Sequence, residues 1–379
     1  MVRELCRQGH EAAILVPNEN FQPSDFPDLE NGQLSFFDAK SYPTWQGKYK
    51  ALQRFLEERA PCVFIPTNNE IYSAVCPKLS DSILCLGWIQ SDEDYHYRHI
   101  DRLGDSWNAC VCVSEFISEE ARKRFPRLEK KIQTIPNAIE IPPTPQRETA
   151  DELRIIYTGR LDQAQKRVMD LGKVAAHLSE RNVRCSFSLV GSGSHEQELR
   201  SVFSGMGEKI RVNFMGRIPH QEVLCALASH DILLMTSEFE GTSLSLLEAM
   251  AQCCVPVVTN IRSGVPELIQ PGSNGFLFEV GDTTECANIL SDLEANREKL
   301  PRIGSKARET VEAGLFNIRN QAKAFQELVS QIQTSEDFVG QRDGRYRPPE
   351  FVNLSRCHNF KRWAKSRLLK LRPTSSLYR

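Results

Sequence analysis

The stretch from Asp231 to Thr259, DILLMTSEFEGTSLSLLEAMAQCCVPVVT, does most to decide the fold. Its apolar runs Ile232 to Met235 and Val255 to Thr259 have the length of buried strands, and 244–252 has the composition of an apolar helix. Turn and cap formers fill 237–243 between the first strand and the helix. This order predicts one strand, loop, helix and strand unit of a parallel α/β sheet, in which ligands bind at the carboxyl ends of the strands.

Two carboxylates stand in this unit, Glu240 on the loop and Glu248 on the helix. Because the helix is apolar nearly all round, we expect Glu248 to lie in a poorly solvated surface and to need a partner. For an isolated glutamate the simpler interpretation is a buried carboxylate held by backbone donors or an arginine. The functional alternative is a ligand, since a carboxylate accepts several hydrogen bonds and suits a vicinal diol.

Composition limits the classes of function. A chain of 379 residues is long enough for two domains, and its net charge of −2 argues against bulk attraction to nucleic acid. No stretch has the roughly 18 apolar residues of a membrane-spanning helix, and the first residues lack the apolar run of a signal peptide, so we expect a cytoplasmic protein. The twelve cysteines show no metal-ligand spacing, which favours reduced, mostly buried thiols and no bound metal.

The organisation of the chain indicates two domains and a tail. A proline-rich segment from Pro136 to Pro145 and the charged run that follows it read as a linker. Apolar strands alternate with helical patterns on both sides of it, which predicts parallel sheets covered on both faces. We therefore expect domains at 1–145 and 146–335 and a basic tail at 336–379. The expected strands are 12–16, 62–66, 83–89, 109–114, 132–135, 154–157, 186–190, 212–215, 232–235, 255–258 and 275–278.

The opening of the chain, VRELCRQGHEAAILVPN, looks like the end of a first helix followed by a second strand. A doubly wound domain normally has a first strand and a glycine-rich turn before that helix. We therefore expect the first domain to lack its first strand and that loop.

Further cations and glycines follow other strands of the second half. Arg160 and Lys166 come between a strand and a helix, where helix amides add positive charge and a diphosphate would fit, although two solvated surface cations are the simpler interpretation. Gly191 and Gly193 follow the next strand, where they indicate either a nucleotide or an ordinary turn. Gly216 and Arg217 follow the strand after that, with a surface loop as the alternative.

Several of these blocks, in this order, resemble the retaining glycosyltransferases of family 4, which have the GT-B fold. The matching residues are the Glu240 to Glu248 spacing, the Gly-Arg-Leu block at 159–161 with Lys166, and the Val-Gly-x-Gly block at 190–193. The resemblance covers 105–330 best. It implies an α/β protein of two Rossmann-like, doubly wound parallel-sheet domains facing across a cleft. It also implies that the last helix, near Phe316 to Ile332, crosses back to the first domain.

The resemblance also implies a role for individual residues. Arg160 and Lys166 would hold the leaving diphosphate, while Glu240 would accept hydrogen bonds from the donor sugar and Glu248 from the ribose. The catalytic set is therefore Arg160, Lys166 and Glu240. The donor-binding set is Gly159, Gly191, Gly193, Arg217, Gly241, Thr242, Ser243 and Glu248. Acceptor-side candidates in the first domain are Ser91, Asp92 and His96. No metal and no further cofactor are implied.

Two functions from different classes fit these expectations. The first is transfer of a hexose-type sugar from a nucleoside diphosphate sugar to a glycan or lipid-linked acceptor. The second is a truncated protein that binds the nucleotide sugar without turning it over. Residues 341–379 hold eleven lysines and arginines against Asp343 and Glu350, so peripheral contact with an anionic membrane is a third possibility beside a plain closing helix or disordered end.

Overall fold

A computed structural model describes residues 1–19, 21–23, 29–30, 32–66, 70–146, 150–338 and 340. The predicted tail begins at 336, so all its residues except 336–338 and 340 lie outside the described ranges. The hypothesis of a membrane contact through that tail therefore lies outside them too.

The chain forms two lobes, each built on parallel strands. The elements of the amino-terminal lobe are α1 (Val2–Arg7), β1 (Ile14–Pro17), β2 (Leu34–Phe37), α2 (Trp45–Glu57), β3 (Cys62–Phe64), α3 (Glu70–Ser73), β4 (Ile83–Ile89), α4 (Asp94–Leu103), β5 (Ala109–Cys112), α5 (Glu115–Arg124) and β6 (Ile132–Thr134). The elements that follow the linker are β7 (Leu153–Thr158), α6 (Met169–Glu180), β8 (Cys185–Val190), α7 (Glu196–Ser204), β9 (Ile210–Gly216), α8 (His220–Ser229), β10 (Ile232–Met235), α9 (Leu244–Ala251), β11 (Val255–Asn260), α10 (Val265–Leu268), β12 (Phe276–Glu279), α11 (Thr283–Ala295), α12 (Leu300–Ala313) and α13 (Ile318–Thr334).

The carboxyl-terminal lobe has a doubly wound sheet. Its six strands lie in the order β12-β11-β10-β7-β8-β9, and every pair is parallel. Strand order reverses between β7 and β10, where Ile232 pairs with Ile155. Open α/β sheets bind ligands at such a switch point, outside the carboxyl ends of the strands. The fold therefore predicts a ligand site where β7 and β10 end.

Separate apolar cores cover the two faces of this sheet, which explains why its strands are apolar on both sides. Side chains of α6, α7 and α11 pack on one face, around Phe187 and Leu171. Side chains of α8 and α9 pack on the other, around Leu233 and Leu247. All four residues of β10 are buried, as the sequence predicts for a central parallel strand.

The amino-terminal lobe has a four-stranded parallel sheet, β3-β4-β5-β6, and a separate parallel pair, β1-β2. The chain begins with helix α1 and continues into β1, in the order expected from the sequence. Strand β2 was not expected, because the short segment Leu34–Phe37 has a polar residue among its four and only Phe37 is fully buried.

Capping residues set the start of two helices of the amino-terminal lobe. Helix α2 begins at Trp45, where the Thr44 side chain accepts a hydrogen bond from the Gly47 amide. Helix α5 begins at Glu115, where the Ser114 side chain accepts one from the Ile117 amide.

The last helix, α13, leaves the second lobe and packs on the first. Its residues Ala322, Phe325, Leu328 and Ile332 belong to the core of the amino-terminal lobe. The Gln321 side-chain amide donates to the Pro136 carbonyl oxygen at 2.6 Å, which ties this helix to the linker. This is the crossing that the resemblance implies.

Candidate functional site

Glu240 lies on the loop that follows β10 and is paired with Lys166. The Lys166 ammonium nitrogen is 2.5 Å from Glu240 Oε1, and the Ser237 hydroxyl donates to the same oxygen at 2.8 Å. The side chain of Lys166 is only 14% exposed and that of Glu240 only 9%. The structure thus brings together two of the three predicted catalytic residues, one from each side of the switch point.

Main-chain contacts hold the two loops in this arrangement. The Thr236 hydroxyl donates to the Lys166 carbonyl oxygen at 2.9 Å, and the Glu238 amide donates to the Gln165 carbonyl oxygen at 2.7 Å. Asp162 Oδ1 accepts the Gln165 amide at 3.0 Å, which shapes the turn before Lys166. These three hydrogen bonds, each with at least one main-chain atom, thus fix the loops that carry Lys166 and Glu240.

Arg160 is the exposed cation of the site. Its side chain is 63% exposed, contacts Asp162 Oδ2 at 3.6 Å and donates a hydrogen bond to the Gln165 side chain. Its carbonyl oxygen accepts the Tyr157 hydroxyl at 2.6 Å. Burial, together with the nearby Asp162 and Glu240, raises the pKa of Tyr157, so this phenol stays a donor. The backbone of Arg160 is fixed while its guanidinium remains open to solvent.

The predicted glycines bring neighbouring loops into backbone contact. A Cβ on Gly191 would lie 1.9 Å from the Gly159 carbonyl oxygen, and one on Gly193 would lie 2.2 Å from the Leu161 carbonyl oxygen. The Gly159 amide donates to the Val190 carbonyl oxygen at 3.0 Å. Gly159 and Gly191 have φ values of 153° and 130°, which side-chain-bearing residues rarely adopt. These glycines thus let the loops after β7 and β8 pack closely against each other.

Glu248 has a partner that the sequence did not reveal. Its Oε1 lies 2.8 Å from His220 Nε2, and the two side chains are 14% and 69% exposed, respectively. His220 is the first residue of α8, directly after Pro219, whose φ of −55° suits a helix start. Since proline often precedes or opens a helix, the Ile-Pro-His order is the one signal that points to His220. Arg217 donates from Nε to the Ser192 hydroxyl at 2.7 Å and so joins the loop after β9 to the loop after β8.

Gly241, Thr242 and Ser243 lead into α9, and the first two contact the other lobe. The Thr242 hydroxyl donates to the Val113 carbonyl oxygen at 2.6 Å, and a Cβ on Gly241 would lie 1.9 Å from the Gln90 carbonyl oxygen. Ser243 is the N-cap of α9, and its side chain makes no capping bond to the described amides of that helix. Helix α9 thus begins shortly after Glu240 in the chain, and its first amides add partial positive charge there.

The three acceptor-side candidates make contacts inside their own lobe. The Ser91 hydroxyl donates to Glu93 Oε2 at 2.7 Å, and Asp92 Oδ1 accepts the Tyr97 hydroxyl at 2.6 Å. His96 is 5% exposed, and burial lowers its pKa. Among the described residues, none of these three candidates is bonded to Glu240 or Lys166.

The described ranges hold neither a candidate metal site nor a candidate membrane-spanning helix. Within them, no group of three or more His, Cys, Asp and Glu side chains is placed to hold a metal ion. No helix of the same ranges is both long and apolar enough to cross a bilayer. Seven of the described cysteines are buried: Cys76, Cys85, Cys110, Cys112, Cys185, Cys254 and Cys286.

Fold and site together define a two-lobed GT-B protein. The protein HepE of Anabaena, solved in complex with UDP and glucose, superposes on 79% of this chain and 86% of its own with a TM-score of 0.63 at 16% identity. Residues 142–310 match the model of the family described as glycosyl transferases group 1. The matched region includes the switch point and both glutamates.

Curated relatives match part of the chain. The sulfoquinovosyl transferase SQD2 of Arabidopsis thaliana is 34% identical over 175 residues, which are 44% of this chain and 32% of that protein. The N-acetyl-alpha-D-glucosaminyl L-malate synthase of Bacillus anthracis is 37% identical over 146 residues, 38% of this chain and 37% of that protein. The matches thus span about a third of the length of these relatives.

Proposed function

We propose that this chain transfers a hexose-type sugar from a nucleoside diphosphate sugar to a glycan or lipid-linked acceptor, with retention of the anomeric configuration. The observation that carries the proposal is the Lys166–Glu240 pair at the carboxyl ends of β7 and β10. The UDP and glucose bound by the Anabaena protein support the donor class. The acceptor class and the retaining course follow from the family resemblance.

Glu240 is suited to hold the donor sugar. The two hydrogen bonds of this carboxylate described above both fall on Oε1, so Oε2 is available to accept bonds from sugar hydroxyls. Lys166 balances the charge of the carboxylate, which would otherwise be costly at 9% exposure. A buried acceptor of this kind discriminates strongly against a ligand that lacks the hydroxyl.

Cations and amides are suited to hold the diphosphate. Arg160 offers a planar, exposed guanidinium that can bind phosphate oxygens in pairs. Lys166 and the first amides of α9 add positive charge at the same end of the sheet. In a retaining GT-B transfer the leaving diphosphate and an oxocarbenium-like carbon carry the developing charge, and fixed charges of this kind stabilise them without a metal.

Glu248 is suited to hold the ribose. Its Oε1 bonds to His220, which orients the carboxylate and leaves Oε2 for the ribose hydroxyls. The loops after β8 and β9, joined by the Arg217–Ser192 bond, lie beside it along the sheet. We assign these loops to the nucleotide and the amino-terminal lobe to the acceptor.

The test is donor hydrolysis. Purified protein is incubated with uridine, guanosine and adenosine diphosphate sugars, with and without EDTA, and release of the nucleoside diphosphate is measured. We expect slow release from one class of donor, unchanged by EDTA and lost in Glu240→Ala. Glu298→Ala, an exposed glutamate of the same lobe, is the matched control and should retain activity.

Titration calorimetry separates this proposal from the second candidate, a binder without turnover. Tight nucleotide binding without release of product from any donor would favour the binder. Absence of both binding and release across the panel would overturn both functions.

A further inference from the structure

Helix α5 of the amino-terminal lobe begins at the seam between the lobes. The first amides of a helix have no partner within the helix and must find one elsewhere. Here the Ile117 amide donates to the Ser114 hydroxyl at 3.2 Å. The two amides before it, those of Glu115 and Phe116, receive their partner from the other lobe.

That partner is the carboxylate of Glu267 in α10. Its Oε2 accepts the Glu115 amide at 3.1 Å and its Oε1 accepts the Phe116 amide at 2.8 Å. One side chain thus makes two charge-assisted bonds across the seam, at the positive end of a ten-residue helix.

The residues around Glu267 let the two backbones approach closely. A Cβ on Gly264 would lie 2.8 Å from Ser114 Cβ and 3.1 Å from the Thr242 hydroxyl oxygen. Thr242 in turn bonds to Val113, next to the start of α5. The seam therefore runs without a break from Glu267 to Thr242, two residues beyond Glu240.

We propose that Glu267 is a positioning residue: its carboxylate fastens α5 of the amino-terminal lobe against the Gly241–Thr242 loop and so fixes the sugar-binding position of Glu240. This inference rests on the proposed function of that site. Glu267 touches neither Glu240 nor Lys166, so it acts through the seam rather than on the donor. The nucleotide, assigned to the carboxyl-terminal lobe, should bind equally well with or without this clamp.

The experiment compares Glu267→Ala and Glu267→Gln with wild type and with the surface control Glu298→Ala. Nucleotide affinity is measured by calorimetry, donor turnover by product release, and lobe closure by small-angle X-ray scattering. For Glu267→Ala we expect nucleotide affinity within about twofold of wild type, turnover lower by about tenfold and a larger radius of gyration. Glu267→Gln keeps one of the two acceptor oxygens and should lie between.

Two results would overturn the inference. One is scattering and turnover in Glu267→Ala equal to wild type. The other is a loss of nucleotide affinity equal to the loss of turnover, which would mark a general structural defect. If wild type itself releases no product from any donor, the proposed function fails, and the radius of gyration still decides whether Glu267 clamps the lobes.

Discussion

Replacing Lys166 by methionine removes the partner of Glu240 while keeping most of the side-chain volume. Glu240 would then be an unpaired carboxylate with 9% of its side chain exposed. Breaking a buried ion pair from one side costs about 3–5 kcal/mol. We expect about 3 kcal/mol, the lower end, because Ser237 still donates to Glu240. With a urea dependence of about 2 kcal/mol per molar, the unfolding midpoint should fall by about 1.5 M.

The assay is urea unfolding followed by two signals. Three of the four tryptophans, Trp45, Trp88 and Trp107, lie in the amino-terminal lobe, so their fluorescence follows that lobe while far-UV circular dichroism follows both lobes. The drop should appear in the circular dichroism. Adding Glu240→Gln should restore most of it, because no unpaired charge remains. A drop below about 0.5 M, or a double variant as unstable as Lys166→Met, would refute the reasoning.

Three further predictions concern other parts of the molecule. Gly191→Ala places a Cβ 1.9 Å from the Gly159 carbonyl oxygen, so the free energy of unfolding, measured by thermal unfolding, should fall by more than about 3 kcal/mol. Gly207→Ala, with open space around the new Cβ, should leave it unchanged, and equal effects of the two variants would contradict the packing argument. Burial, with Arg102 and His96 nearby, lowers the pKa of His99 from 6.5 to about 4, so the free energy of unfolding should be unaffected by this residue above pH 6.5 and should fall by at most about 3 kcal/mol toward pH 4. The variant His99→Phe should flatten the pH dependence of the tryptophan-detected urea midpoint, and an unchanged slope would contradict this prediction. His220→Ala removes the partner of Glu248 and should weaken nucleotide binding by about three- to tenfold in calorimetry. His177→Ala, which removes a similar surface contact to Glu180, should leave the affinity unchanged, and equal affinity in both variants would show that His220 does not support the nucleotide site.

The sequence predicted the carboxyl-terminal lobe well because its strands are central and parallel. Strand β10 is buried on both faces, so its apolar run was unambiguous. Strand β2, in the separate pair β1-β2 of the other lobe, was harder to predict. β2 has only one fully buried residue and carries a serine, so neither alternation nor a continuous run marked it.

Partners in the site were less predictable than the residues themselves. Glu248 was expected to need a partner, but His220 lies 28 positions away, and its proximity depends on how α8 packs beside α9. Lys166 and Glu240 were assigned separate ligand groups, and only the pairing of β7 with β10 brings them together. The hydrogen bonds of Glu267 to α5 join the two lobes. A local sequence pattern cannot indicate a contact between residues so far apart in the chain.

The most direct test of the account is a crystal structure of the protein with the nucleotide sugar that it binds. The account predicts the sugar hydroxyls at hydrogen-bond distance from Glu240, the ribose at Glu248 and the diphosphate at Arg160. A donor bound away from the carboxyl ends of β7 and β10, with both glutamates still bonded only to Lys166, Ser237 and His220, would contradict it.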